Sequence, residues 1–326
     1  MIQDKKFKNV RENLTNLTNI DRIYLNKSIY YSQPEKQLET VTVVLYRKIM
    51  SQFKKAVKNI ANNLGFELRE IRPEESSQYS YQEEEKIIEA ILSKLKNSQQ
   101  IYVDIGAANG VNGSNSFSLV KDGWGGLAVE YNGDEFSKLA YEYAKYSKVS
   151  LSKCMVTPEN VLSLLKAHQI PKEFGFLTLD IDGYDYFVLE QILTEYRPSL
   201  ICAEINEKMP PPIQFTMKYN PNYPGPRGHL YGQSLSQMNI LCERHDYAIV
   251  QLEYNNAFLI PQEINPLPAL TTEEAYRQGY LDRSDRHQKY PWNADMEEIH
   301  GLSPQEAVDF VKQKFTEYES DFICQI

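Results

Sequence analysis

The chain has 326 residues, of which 42% are hydrophobic and 24% charged, and its formal net charge is −9. That much apolar material builds a core and excludes global disorder or a coiled-coil rod; the length suits one large domain, or one domain with substantial additions. The acidic balance removes any general electrostatic case for nucleic acid or an anionic membrane surface as a partner.

The opening MIQDKKFKNVRENLTNLTNI is polar and lacks the apolar stretch of a secretory leader. The most apolar early run, Val41–Tyr46, is too short to cross a bilayer. Cys154, Cys202, Cys242 and Cys324 are widely spaced and form no CxxC pair. Free thiols in a cytoplasmic protein are expected, not a disulfide scaffold or a cysteine-rich zinc site.

Residues 1–99 are locally basic, unlike the acidic remainder, and read as a helical N-terminal cap. Helices are predicted over Asn9–Leu25, over Val41–Leu64, where Ile49, Phe53, Val57, Ile60 and Leu64 recur at helical spacing, and over Gln82–Leu95. From residue 100 the pattern alternates. Strands are predicted at Ile101–Ile105, Gly126–Glu130, Lys148–Cys154, Phe174–Leu179 and Leu200–Ile205. Helices fall between them at Phe136–Tyr146, Pro158–Ala167 and Phe187–Leu193. This alternation predicts an α/β fold with a mostly parallel sheet covered on both faces. Residues 207–234, rich in Pro, Gly, Tyr and Asn, break the rhythm and read as a lid loop. A helix at Leu235–Arg244 and two strands, Tyr247–Leu252 and Ala257–Ile260, complete a core of 100–261. The extension 262–326 reads as polar and irregular until Ser303, whose SPQE signature starts a helix.

Asp104–Gly110 reads DIGAANG, a strand-to-helix turn with small residues where a ligand can approach the backbone. It is neither GxGxxG nor a GKS/GKT loop, so a pyrophosphate cradle is poorly supported. An adenosine-containing ligand without a pyrophosphate fits better. Glu130, ending the next strand, is the acid placed for its ribose hydroxyls.

This run resembles motif I of the class I S-adenosylmethionine-dependent methyltransferases, and more closely that of FkbM-type methyltransferases. VDIGAANG, AVE at Ala128–Glu130, LDIDGYDYFVL at Leu179–Leu189 and CAEIN at Cys202–Asn206 occur in the family's order and cover residues 100–260. The resemblance implies a Rossmann-like, seven-stranded sheet of order 3-2-1-4-5-7-6 and S-adenosyl-L-methionine as cofactor. It further implies that Asp104 organises the loop and the methionine end, that Gly106, Ala107, Ala108, Asn109 and Gly110 pass beside the cofactor, and that Glu130 binds the ribose. Tyr131 would lie against the adenine, Met155 and Val156 would close its pocket, and Asp180 would stand near the methyl donor. The family often has Asn where this chain has Ala108, with Asn109 one position later.

Methyl transfer to a hydroxyl or amine needs an aligned acceptor and often a base. Asp180, Asp182 and Asp185 form DxDGYD, and residues two apart on an extended strand share a face. Asp185 reads equally well as a helix cap. Glu204 and Asn206 end the fifth strand. Asp182, Glu204 and Asn206 offer oxygen ligands that suit a divalent metal, although none is expected. His229, in the Gly/Pro-rich segment, is the base candidate, with Asp182 and Glu204 as acids orienting the acceptor. Arg227, Tyr231 and Asn206 are candidate substrate contacts, Arg227 for a carboxylate. The resulting expectation is an O-methyltransferase for a small polar or carboxylate-bearing metabolite, with homo-oligomerisation through the terminal regions. An N-methyltransferase, a nicotinamide oxidoreductase and a non-catalytic interaction module on the same fold are the rivals.

Overall fold

The computed structural model describes residues 79–95, 99–222, 225 and 228–326, all within the compact unit Arg72–Ile326. The helices expected at Asn9–Leu25 and Val41–Leu64 lie outside the described residues, as does Arg227.

The expected alternation is present. Helix α1 (Glu84–Leu92) precedes β1 (Ile101–Ile105), α2 (Phe117–Lys121), β2 (Gly125–Glu130), α3 (Gly133–Tyr143), β3 (Val149–Lys153), α4 (Val161–Ala167), β4 (Phe176–Leu179), α5 (Asp185–Glu195) and β5 (Leu200–Glu204). After β6 (Gln214–Met217) come α6 (Leu235–Arg244) and the hairpin β7 (Tyr247–Glu253) and β8 (Asn256–Pro261), turned at Tyr254 and Asn255. The main sheet runs β3-β2-β1-β4-β5-β8-β7. Its first five strands are parallel and the β8–β7 hairpin is antiparallel. Counted within this sheet alone, the order is 3-2-1-4-5-7-6, as the resemblance implied.

The central strands are buried on both faces, which explains their nearly continuous apolar runs. Val103, Ile105, Leu127, Val129, Leu177, Leu179 and Ile201 pack with Val161 and Leu165 of α4, Val188 and Ile192 of α5, and Leu235 and Met238 of α6. The alternate residues Tyr102, Ala128, Phe176, Leu200 and Cys202 pack with Ile88 and Ile91 of α1, Phe117 of α2 and Leu139 of α3. The strand order reverses between β1 and β4, so a crevice at the carboxyl ends of β1, β2 and β4 is where an α/β sheet takes a ligand.

Two expectations are corrected. The segment 207–234 is not irregular throughout: β6 lies within it and pairs with a second missed strand, β9 (Phe322–Gln325). Thr216 also bridges Gln233, and the Ser234 hydroxyl donates to the Ile213 carbonyl, so both ends of the segment are pinned. The extension 262–303 is not irregular either. It holds α7 (Thr272–Tyr276), a π-helical turn at Arg277–Leu281, α8 (Arg286–Lys289) and a 3₁₀ stretch at Pro291–Gly301. The short helices bury Tyr276, Tyr280 and Tyr290. Such single turns draw their stability from packing, so no helical period marks them in sequence. Helix α9 (Pro304–Lys314) begins at Ser303 with the expected capping box to Glu306. A third core joins Phe215 and Met217 to Met296, Val308, Val311 and Phe322. No described helix is long and apolar enough to cross a membrane.

Phe215 and Phe322 meet across the β6–β9 ribbon, ring centroids 5.5 Å apart, and both are buried. Phe322→Ala is expected to lower unfolding free energy by about 3–5 kcal/mol. Chemical denaturation checks this, and a loss below about 1 kcal/mol would show that the ribbon contributes little.

Candidate functional site

The turn after β1 is built by hydrogen bonds from its own chain. The N–H groups of Gly106 and Ala107 both donate to the Val129 carbonyl, at 3.1 and 3.0 Å. The next N–H, of Ala108, donates to Glu130 Oε2 at 2.8 Å, while Glu130 Oε1 accepts from Asn132 N–H at 2.6 Å. Glu130 therefore faces the turn, as expected, and is only 6% exposed. Each of its oxygens spends one lone pair on the backbone and keeps one for a further donor.

The glycines of the turn do something other than admit a ligand. Gly106 has φ +92°, and a Cβ there would lie 1.7 Å from the Asp180 carbonyl oxygen. Gly110 has φ +76°, and its Cβ would lie 2.4 Å from Leu139 and 2.5 Å from Tyr143. Both let segments of this chain approach each other. Asn109 is likewise turned inward, with Oδ1 accepting from the N–H groups of Val111 and Asn112. Ala107 is buried, and Ala108 holds a left-handed conformation at φ +46°.

Asp104 is buried beneath the turn and accepts a 2.6 Å hydrogen bond from the Ser116 hydroxyl. Burial pushes its pKa up to about 6; the Ser116 hydrogen bond opposes this, and the nearby Glu130 adds to it. On the open side, Tyr131 is 66% and Met155 42% exposed. They follow the carboxyl ends of β2 and β3, which pair Glu130 with Lys153. Val156 beside Met155 is buried.

At the ends of β4 and β5, one carboxylate oxygen from each of Asp180, Asp182 and Glu204 lies within 4.8 Å of the other two. Asp182 reaches this cluster through a left-handed conformation, φ +53°, not through an extended strand. Asp180 and Asp182 are exposed, whereas Glu204 is buried. Solvent reaches Asp180 from one side and protein crowds it from the others, the setting of a group on a crevice floor. Desolvation, reinforced by the charges of Asp182 and Asp185, pushes its pKa up to about 7. Burial and the charges of Asp180, Asp182 and Asp185 hold Glu204 well above the usual carboxylate range. Asp185 is the helix-start residue of its alternative reading: Oδ1 accepts from Ile181 N–H and Oδ2 from Gly183 N–H, both at 2.9 Å.

Three proposed site residues make their contacts elsewhere. Asn206 is fully buried; its Nδ2 donates to the carbonyls of His229 and Tyr231 and its Oδ1 accepts from Lys208 N–H, so it is no metal ligand or substrate contact. The Tyr231 hydroxyl donates to Glu207 Oε2 and accepts from Lys208 Nζ, each at 2.7 Å. The His229 ring lies 2.9 Å from Asp295 Oδ1 and beside Phe315 of the C-terminal extension, and desolvation lowers its pKa. It is no member of the carboxylate cluster. Arg227 lies outside the described residues. Sequence reasoning missed the Glu207–Lys208 pair, buried side by side at 3.0 Å, with Asn293 donating to Glu207 at 2.6 Å. An adjacent Glu-Lys in a Pro-rich segment looks like solvated surface.

A parallel sheet with an antiparallel sixth-and-seventh hairpin, a glycine turn after β1 and an acid ending β2 decide the architecture. The fold is that of the class I S-adenosylmethionine-dependent methyltransferases. No protein-family model and no curated protein matches the sequence. Among solved structures, M. capricolum TrmK in complex with S-adenosyl-homocysteine overlaps at a TM-score of 0.40 and 13% identity, covering 75% of this chain and 99% of that one. The N-terminal domain of EvdMO1, with S-adenosyl-homocysteine and D-fucose, gives 0.37 and 10%, covering 64% and 94%. Precorrin-6y C5,15-methyltransferase from Geobacter metallireducens gives 0.33 and 13%, covering 57% and 91%. At such distances the strand order, not the overlap, carries the fold.

Two outcomes are expected. Gly106→Ala should prevent a stable turn, because the added methyl meets a backbone carbonyl and the positive φ is strained as well; a thermal transition equal to wild type would show that the turn relaxes freely. Asp104 also sets a pH dependence. Its folded pKa stands above the free value of 3.8, so the unfolded chain loses its proton first. Stability falls as pH rises from about 4 through about 6, by about 3 kcal/mol in total. Asp104→Asn still accepts from Ser116 and should flatten that fall; parallel pH–stability curves for the two proteins would refute the assignment.

Proposed function

We propose that the protein is an S-adenosylmethionine-dependent methyltransferase of the FkbM type, acting on a hydroxyl oxygen of a small polar acceptor. The observation that carries this reading is the Glu130 carboxylate, locked against the Ala108 N–H of the glycine turn with one lone pair of each oxygen unspent. That arrangement fits a ribose diol beside a backbone turn and leaves no cradle for a pyrophosphate, which disfavours the nicotinamide reading. Tyr131 and Met155 supply exposed apolar surface against which an adenine can lie. Asp104 and the backbone from Gly106 to Gly110 would border the methionine portion, and Asp180 the crevice floor beyond it.

When bound, the cofactor supplies an electrophilic methyl on a sulfonium. This chain's residues then have to bind, orient and exclude water. Asp180, Asp182 and Glu204 present acceptors that can orient a hydroxyl donor of the acceptor. Arg227, the contact expected for a carboxylate, lies outside the described residues, so the acceptor is proposed on its hydroxyl alone. His229 pairs with Asp295 and packs beside Phe315 of the C-terminal extension, so no base is assigned in this proposal.

Calorimetry with S-adenosylhomocysteine and with NAD tests the reading. Stoichiometric binding of the first alone is expected, and Glu130→Ala should weaken it by about 10- to 100-fold, through lost hydroxyl contacts and a loosened turn. NAD binding in its place, or unchanged affinity in the variant, would refute the proposal.

A further inference from the structure

The segment 207–234 brings Tyr219 from the β6–β9 ribbon to the carboxyl ends of the parallel strands. β6 pairs with β9 of the C-terminal extension, and the chain leaving β6 is held on both sides. Met217 N–H donates to the Gly232 carbonyl at 3.0 Å, and Lys218 N–H to the Asp321 carbonyl at 2.8 Å. Lys218 Nζ adds a 2.9 Å bond to the Ser320 carbonyl. Tyr219, the next residue, therefore starts from a fixed backbone.

Tyr219 lands beside the turn that follows β3. Its ring meets that of Tyr184 edge to face, with centroids 4.9 Å apart and planes at 76°. Tyr184 stands at the start of α5, past the end of β4, and its hydroxyl donates to the Val156 carbonyl at 3.0 Å. The Tyr219 hydroxyl stands by the Glu159 carboxylate, whose pKa it lowers. Asn160 fixes the same turn: its Oδ1 accepts from Thr157 N–H at 2.8 Å, and its Nδ2 donates to the Met155 carbonyl at 2.9 Å. The exposed Met155 and the half-buried Tyr219 therefore flank one turn, and the exposed Tyr131 follows the neighbouring strand end at Glu130.

We propose that Tyr219 is the outer aromatic wall of the adenosyl pocket, carried there by the ribbon that β6 shares with the C-terminal extension. The proposal rests on the S-adenosylmethionine reading and adds a binding residue to it. A purine is flat and stacks on tyrosine rings, whose apolar body and wet polar tip suit the rim of a pocket. Tyr219 has that setting: its ring leans on the buried Tyr184, and its hydroxyl points to a carboxylate in solvent. Tyr184, Val156 and Met155 belong to the parallel core, whereas Tyr219 is placed by contacts with residues 320–325. An adenine between them is held by both parts of the chain, which gives the extension a task in retaining the ligand.

The test measures S-adenosylhomocysteine binding to the full chain by calorimetry and its release by stopped-flow dilution. Tyr219→Leu keeps an apolar contact with Tyr184 but loses the aromatic face, and should weaken binding by about 10-fold, mainly through faster release. Tyr219→Phe keeps the ring and should change affinity by less than about 2-fold. Tyr141→Ala, at a solvent-exposed tyrosine of α3, should leave affinity unchanged. Thermal melting of the ligand-free variants separates packing from binding. A ring that only packs lowers the melting temperature of Tyr219→Leu and leaves its affinity and release rate at the wild-type values, and that result overturns the proposal. Tyr219→Ala should weaken binding further, and if it does not fold, Tyr219→Leu decides alone. Wild type that binds no S-adenosylhomocysteine would overturn the methyl-transfer reading and the wall with it. Tight binding by wild type and Tyr219→Leu alike would remove the wall and keep that reading.

Discussion

The carboxylate of Glu130 bridges two strand ends: Oε2 holds the Ala108 N–H of the turn after β1, and Oε1 holds the Asn132 N–H that leads into α3. Because it is nearly buried, these charge-assisted bonds act in a medium where they are strong. They fix the path of the turn, and the turn in turn sets Gly106 against the Asp180 carbonyl at a distance that no side chain tolerates. The ends of β1, β2 and β4 are thus tied into one rim by contacts of the backbone.

Around that rim the chain uses its acids in two distinct ways. Glu207 is buried yet fully satisfied by Lys208, Tyr231 and Asn293, and these partners hold its pKa below the ordinary value despite burial. This network joins the 207–234 segment to the C-terminal extension as part of the scaffold. Asp180, Asp182 and Glu204 stand opposite in kind: they converge on one another, and their pKa values are raised. One buried glutamate is thus fully satisfied, while the other, three residues earlier, keeps an oxygen without a hydrogen-bond partner.

Much of the sheet was legible because its physics is local. A strand buried on both faces must be apolar along its whole length, so β1, β2, β4 and β5 announce themselves, and Leu235–Arg244 matches its helix because Ser234 caps it. The β6–β9 ribbon was not legible, since its partners lie about a hundred residues apart and four-residue strands carry no period of their own. The short helices of the extension were missed for the same reason.

The sequence by itself determined the alternation of elements, the glycine turn and the acid that follows it, because these depend on residue type at fixed short spacing. Only the tertiary structure decided which polar residues are free to act. Asn206, Tyr231 and His229 look like site residues in the chain but are consumed by contacts with residues far from them in sequence, or by distant backbone. Asp180 and Glu204, on neighbouring strands, are brought together only when the sheet forms. A hydrogen bond needs its partner within about 3 Å, and no spacing rule along the chain tells which distant group will arrive there.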